Sequence, residues 1–178
     1  MVHMKSIDIK QLCQIAVFTA IIAVFAQIRI PMPGGVPLTL QTFAIMLSGI
    51  VLGAKRGVIS TTVYVLLGTA GVPIFNGFTG GLTSTFGVTG GFILSFPLIA
   101  LFAGIGIKKQ SPVWLTSWLS AGVAVNYLFG IAMFCVVTKS GVVTAFAVLA
   151  TFIPLDLFKV AVTAVTARRI KRALVINS

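Results

Sequence analysis

The chain has 178 residues, of which 58% are hydrophobic and only 8% charged. Soluble domains carry about 25% charged residues, so these proportions exclude an ordinary water-facing globule. Thirteen Lys and Arg against two acids would point to nucleic acid in a soluble protein. Here the basic residues fall in pairs between apolar runs, the pattern of membrane topology, and no nucleic-acid partner is expected.

Runs of about 18 apolar residues read as membrane spans, and they recur along the whole chain. The expectation is an all-α integral membrane protein whose solvent is membrane lipid, forming one transmembrane domain over residues 1–178. The first span covers about 12–28. With no small-residue cleavage site after it, it reads as a retained span and not a signal peptide. It breaks at Arg29 and the Pro31-Met32-Pro33-Gly34-Gly35 segment, whose prolines and glycines cannot continue a helix. A second run, 38–52, ends at Gly53-Ala54-Lys55-Arg56-Gly57, and a third covers 58–70. Both are short. A single long helix through Lys55 and Arg56 is the alternative, but the flanking glycines favour a turn.

Residues 71–91 hold seven glycines and no charge. Irregular backbone near membrane depth is tolerated only where protein covers it or it lines a cavity. A fourth span, 91–107, closes at Lys108-Lys109, and a fifth runs over 113–138. Residues 142–152 are apolar but too short to cross and read as a stub in the outer leaflet. Pro154, suited to a first helical turn, opens the sixth span, 154–174, which ends in a basic cluster.

Six spans can be tested against the charges. With both termini cytoplasmic, ten basic residues lie inside: Lys5, Lys10, Lys55, Arg56, Lys108, Lys109, Arg168, Arg169, Lys171 and Arg172. Two, Arg29 and Lys139, lie outside, and Lys159 falls within the sixth span. That bias sets the orientation. It puts the 31–35 segment, the glycine-rich segment and Pro154 on one outer face, where they imply a cavity opening outward. Cys13 and Cys135 then sit near opposite faces, which argues against a disulfide.

Asp156 and Lys159 are the ionisable residues inside the apolar region near that face. Three apart on a helix, they are neighbours. An intramembrane charge is costly alone and marks a functional site by default. The pair reads as a polar clamp for a ligand, or as an ion pair holding the sixth helix to its neighbours. Asp156 also lies in a first helical turn, where the helix dipole favours negative charge. In the glycine-rich segment, Gly80 and Gly81 allow close backbone approach and an anion-binding nest, while Asn76, Thr79, Thr83, Ser84 and Thr85 add neutral hydrogen-bonding groups. Thr39 and Gln41 can bond a ligand or link helices. Tyr64, Asn126 and Tyr127 fit packing as well as binding. Trp114 and Trp118 read as interfacial anchors. Ala16 and Ala20, like Ala100 and Gly104, are spaced so that helices can approach closely; the second pair reads as packing within the bundle, the first as packing or as contact with another subunit.

There is no G-x-x-x-x-G-K-[ST] nucleotide motif. No Ser/His/Asp or Cys/His set is available, because the sole histidine, His3, is near the N-terminus. No metal-ligand set and no paired carboxylates appear. An enzyme is not expected, and neither is a cofactor.

Several stretches resemble BioY, the biotin-specific substrate-binding (S) component of energy-coupling-factor (ECF) transporters. They are Val36-Pro37-Leu38-Thr39-Leu40-Gln41-Thr42, Gly71-Val72-Pro73-Ile74-Phe75, Gly80-Gly81 with Thr89-Gly90-Gly91-Phe92, and Phe152-Ile153-Pro154-Leu155-Asp156-Leu157-Phe158-Lys159. The resemblance covers nearly the whole chain. It implies a six-helix ECF S-component-like bundle that captures biotin, the transported ligand, from outside the cell membrane. Delivery would involve an ECF transmembrane coupling subunit and two cytoplasmic ATPase subunits. In the family, the aspartate and lysine of a P-x-D-x-x-K motif line the biotin pocket, and Asp156 and Lys159 match them. Small residues on the first helix contact the coupling subunit, which Ala16 and Ala20 fit. The loop from Arg29 to Pro37 corresponds to a lid. The chain departs from the family at Val88 and Phe92, where Pro and Tyr are common, and at Leu155, where Gly is common.

Biotin offers a ureido ring with two N–H donors and one acceptor, an apolar thioether ring and a carboxylate. The expected site comprises Asp156 and Lys159 with Gln41, Asn76, Gly80, Gly81, Thr83 and Tyr127. Asp156 would accept from the ureido N–H groups while Asn76 and the amides near Gly80 and Gly81 hold the other end. In the reversed pose, Lys159 meets the carboxylate. The competing readings are a stand-alone proton-coupled carrier working through Asp156, and a membrane scaffold whose polar pair only joins helices.

Overall fold

The computed structural model describes residues 8–32, 36–109 and 111–176, excepting the side chains of 170–176. His3, Lys5, residues 33–35 of the lid segment and the side chains of Lys171 and Arg172 lie outside the described residues. The regular elements of the described chain are helices apart from one short ladder. Its elements are α1 (Ile9–Gln27), β1 (Arg29–Ile30), β2 (Leu38–Thr39), α2 (Gln41–Thr69), α3 (Leu82–Thr85), α4 (Gly90–Gly106), α5 (Pro112–Thr138), α6 (Val142–Ala150) and α7 (Ile153–Ile176).

Helix α2 is the least ordinary of these, because it doubles back on itself. Gly53 has φ 78° and ψ 167°, outside helical geometry and readily reached only by a residue without Cβ. In a straight helix Gln41 and Tyr64 would be roughly 34 Å apart at 1.5 Å per residue, yet Gln41 Nε2 donates to the Tyr64 hydroxyl at 2.9 Å. Further along, Ser48 Oγ lies 3.5 Å from Thr61 Oγ1, and the backbones of Gly49 and Gly57 abut. The two arms, 41–52 and 54–69, are therefore antiparallel. The turn expected between 52 and 58 is present, at its first glycine. The Arg56 guanidinium ties it to α1 through Gln14 Oε1 at 2.9 Å.

By length and composition three helices, α1, α2 and α5, are long and apolar enough to cross a membrane. A fourth arises if α6 and α7, bent by 52°, count as one span. Helix α4 is a shorter apolar helix.

Two arrangements hold the bundle. On one side α4 packs tightly against both arms of α2. A Cβ at Gly49 would run into the Ala100 carbonyl, and one at Gly104 into the Ala54 backbone, so Ala100 and Gly104 serve packing inside the bundle, as their spacing indicated. On the other, α1 is joined to the second arm of α2 by hydroxyls: Ser60 Oγ donates to the Ile15 carbonyl at 3.1 Å and Thr19 Oγ1 to the Ser60 carbonyl at 3.0 Å. The main apolar core runs through Ile22, Ile45, Tyr64, Phe75, Phe96, Ile99 and Leu119. A second cluster of Val36, Leu38, Phe134, Ala145, Leu149 and Phe152 joins β2, α5, α6 and the start of α7. Large apolar side chains also cover the periphery, including Val17, Val24, Leu128, Val136, Leu157 and Val165, the surface a lipid-facing bundle requires.

The glycine-rich segment is held by its own Phe75 and by Gln27 of α1. Phe75 is buried and meets Tyr64 edge-on with ring centroids 5.5 Å apart, and its ring fills the space above Gly68. Gln27 Nε2 donates to the carbonyls of Ile74 and Phe75, and its Oε1 accepts from the Phe78 amide at 3.0 Å. The β1–β2 ladder pairs Arg29 with Thr39 and Ile30 with Leu38. The Arg29 guanidinium rests against Gly77. At the start of α5, Trp114 and Trp118 meet edge-on with ring centroids 5.6 Å apart, and Lys109 Nζ lies 3.9 Å from the centroid of the Trp114 ring. Cys13 and Cys135 are free thiols.

Candidate functional site

The α6–α7 corner creates the site. Phe152 leads into α7, and the Asp156 amide donates to the Phe152 carbonyl at 3.0 Å, placing the carboxylate one turn into the helix. Lys159 follows on the same face, with Nζ 2.7 Å from Asp156 Oδ1. Both side chains are almost wholly buried, so each charge requires the other. Tyr127 of α5 donates its hydroxyl to Asp156 Oδ2 at 2.6 Å. Thr42, at the start of α2, accepts from Lys159 Nζ at 3.2 Å, and its own hydroxyl lies 3.5 Å from Asp156 Oδ1. Three helices thus meet at one ion pair.

This pair forms part of the wall of a cleft of ≈ 570 Å³, counting the solvent at its mouth. Asp156, Lys159, Tyr127, Gln41, Asn76, Asn126, Thr39, Thr42 and Thr89 supply the polar lining. Val36, Pro37, Leu38, Phe92, Ile93, Phe96 and Phe152 supply the apolar remainder. The 36–39, 76–89 and 152–156 segments therefore converge on one cavity. The chemistry it offers is a neutralised charge pair, amides and hydroxyls beside a flat aromatic and aliphatic wall. That suits a ligand with a compact polar head and an apolar body.

Of the expected site residues, Asp156, Lys159, Gln41, Asn76 and Tyr127 share this cleft. Thr83 lines an adjoining cleft with Thr79, Ser84, Gly87 and Val88; Asn76, Pro37, Thr89 and Ile93 belong to both. Gly80 and Gly81 line neither. The Gly81 amide is taken by the Gly68 carbonyl at 2.7 Å, and Gly80 lies against the Val72 carbonyl, so the expected anion-binding nest does not form at the cleft. Ala16 and Ala20 line neither cleft and sit on the exposed face of α1.

Sequence reasoning left Thr42, Asn126, Phe92, Phe96 and Phe152 out of the site. Thr42 had a signal: once the helix begins at Gln41, the next residue starts the turn that faces α7. Phe92 and Phe96, four apart in α4, share a face, but nothing in their spacing distinguishes a cavity wall from a packed core. Phe92, where a tyrosine is common in the resembled family, meets Tyr127 edge-on at 5.8 Å.

Over residues 2–175 the sequence matches the BioY family. It is 39% identical over 165 residues to the "Probable biotin transporter BioY" of Pyrococcus horikoshii, covering 91% of this chain and 96% of that one. It is 37% identical over 167 residues to the "Biotin transporter BioY" of Thermotoga maritima, covering 92% and 96%. Among solved structures the fold is similar to the crystal structure of the S-component for biotin from an ECF-type ABC transporter. That match has a TM-score of 0.84 and 27% identity, and covers 92% of each chain. The names of these proteins describe transport components and not enzymes, and with the apolar helices they mark a multi-pass membrane protein. By the extent of these matches the chain belongs to the BioY family.

Proposed function

We propose that this protein captures biotin in the cleft at its outer face and delivers it for ATP-driven uptake by an associated ECF module, a transmembrane coupling subunit with two cytoplasmic ATPases. The observation that carries the reading is the buried Asp156–Lys159 pair in the wall of a cleft, in a chain similar to proteins named biotin transporters. Buried charges on one helix could serve structure alone. These belong to the wall of a solvent-accessible cleft with amides and aromatic rings around them, which a structural pair does not need.

In this reading Lys159 is the ligand-facing donor and Asp156 holds it. The ammonium has three N–H groups, of which two go to Asp156 and Thr42, leaving one for an acceptor on biotin. The Asp156 carboxylate already receives Lys159, Tyr127 and, more loosely, Thr42. It therefore acts chiefly by orienting Lys159, and it is poorly placed to cycle protons as a stand-alone carrier would require. Asn76, between the two clefts, would hold the far end of the ligand. The apolar ring system would lie against Phe92, Phe96 and Phe152.

The topology is six spans with both termini cytoplasmic, counting the arms of α2 separately, and it rests on ten inner against two outer basic residues. The segment from Arg29 to Pro37 would cover the cleft as a lid. Cys13, Ala16, Val17, Ala20 and Val24 form an exposed stripe along α1, opposite its buried face of Ile15, Thr19, Ile22 and Ala26. Small residues there allow a partner helix to approach closely, as docking to the coupling subunit would need.

Equilibrium binding of biotin to the purified chain in detergent, beside Asp156→Asn and Lys159→Ala, tests the reading. The expected result is saturable one-to-one binding by wild type that either substitution greatly weakens. A folded wild-type preparation that binds no biotin would overturn it.

A further inference from the structure

Two amides in the cleft are held in one orientation by the protein behind them. Asn126 Nδ2 donates to the Phe92 carbonyl at 3.0 Å and to Ser95 Oγ at 2.8 Å. A carbonyl can only accept, so the nitrogen must face Phe92, and the amide cannot be reversed without setting two oxygens against each other. Ser95 Oγ reinforces this, because it donates to the Gly91 and Phe92 carbonyls and is left to accept from Asn126. Gln41 is fixed by a relay. The Tyr64 hydroxyl donates to the Ile74 carbonyl at 3.0 Å, so it must accept from Gln41, and Nε2 is the group that donates to it at 2.9 Å.

Asn126 therefore commits both N–H groups to the core and Gln41 commits one, and each keeps its carbonyl oxygen for the other side. Among the described residues neither Gln41 Oε1 nor Asn126 Oδ1 has a hydrogen-bond partner. Both residues are nearly buried, at 4% and 2% exposure. The single sealed side-chain polar atom without a partner among the described residues is Trp114 Nε1. The two carbonyl oxygens thus retain accessible surface, and the surface these residues line is the cleft.

We infer that the carbonyl oxygens of Gln41 and Asn126 are the acceptors that read the ligand's N–H groups, the two ureido N–H groups of biotin if the proposed function holds. This inference rests on that reading and extends it. Lys159 supplies a donor to the ligand, while the two locked amides supply acceptors that cannot turn to present N–H. An amide free to rotate would tolerate either donor or acceptor on the ligand. A locked one discriminates, because a ligand lacking the N–H leaves a desolvated carbonyl without a partner.

The test is a cycle between protein and ligand. Biotin and biotin methylated on both ring nitrogens are titrated into wild type, Gln41→Met and Asn126→Leu in detergent, with thermal unfolding followed in parallel. Neither substitution strands a buried donor: the Tyr64 hydroxyl keeps Ile74, and Ser95 keeps its two carbonyls. Each variant is expected to bind biotin about tenfold more weakly, near the upper end for a neutral hydrogen bond. Methylation is expected to cost wild type more than it costs either variant. A simple clash of the methyl groups would cost all three proteins alike, so a smaller loss in the variants isolates the hydrogen bond. Equal losses in all three, or dimethylated biotin binding wild type as well as biotin does, would overturn the inference while leaving biotin capture standing. No biotin binding by wild type would overturn both. Where one variant fails to fold, the comparison of wild type with the other variant still decides the matter.

Discussion

The cleft side of the bundle and the α2–α4 side are built on opposite rules. Between α2 and α4, glycine and alanine bring backbones into contact, and Gly49 lies against the Ala100 carbonyl with no space for a Cβ. Between α2, α5 and α7, what joins the helices is a set of directed polar bonds around Asp156. Close packing stabilises without regard to any ligand. A polar junction in a cleft remains responsive, because its donors and acceptors can be shared with a guest. In the proposed reading, one side serves as a rigid frame and the other recognises the ligand.

The strongest way to break that contrast is Lys159→Ala. It leaves the buried Asp156 carboxylate without its cation, a loss of about 3–5 kcal/mol for a buried pair. Thermal unfolding in detergent should show a large drop, and calorimetric titration at least a hundredfold loss in biotin affinity. The double variant Asp156→Asn with Lys159→Ala should recover much of the stability and none of the affinity; recovery of both would show that the pair serves structure only.

Next in size is Tyr127→Phe, which removes the 2.6 Å bond to Asp156. A hydrogen bond to a charged group is worth about 1.5–3 kcal/mol. The expected outcome is affinity weakened by about ten- to a hundredfold with only a modest fall in melting temperature. The reverse pattern would move Tyr127 into the frame.

Gly49→Val probes the frame directly. Overpacking of this kind costs about 1–3 kcal/mol. The melting temperature should fall, while biotin affinity of the folded fraction, measured well below the transition, stays unchanged. A matching loss of affinity would mean the two sides are coupled.

The smallest effect on the isolated chain is expected from Ala16→Leu with Ala20→Leu on the exposed face of α1. Surface changes of this kind fall within about ±0.5 kcal/mol, and binding of biotin should not move. Co-purification with the coupling subunit should be lost. Retained assembly would place the docking surface elsewhere.

Much of this was legible in the residues. The helical segments follow from apolar runs and their breakers, so the starts of α4 and α5 fall within one residue of the expected spans. Asp156 and Lys159 stood out because few charges lie in apolar surroundings. The turn in α2 was legible from Gly53 and Gly57. Less legible were residues whose chemistry is ordinary in a helix. Asn126 and Phe96 carry no signal that separates a cavity wall from a packed interior, and Gly80 and Gly81 had the composition of an anion nest without the placement.

The sequence by itself determined that the chain is helical, lives in lipid and carries one polar pair near an irregular face, because local hydrophobicity, backbone breakers and charge are properties of short segments. Only the tertiary structure decided which groups meet that pair, which way the Gln41 and Asn126 amides point, and that Gly81 spends its amide on Gly68. Each of those depends on atoms brought together across dozens of residues, and a hydrogen bond's direction is set by what stands on the far side of the group that makes it.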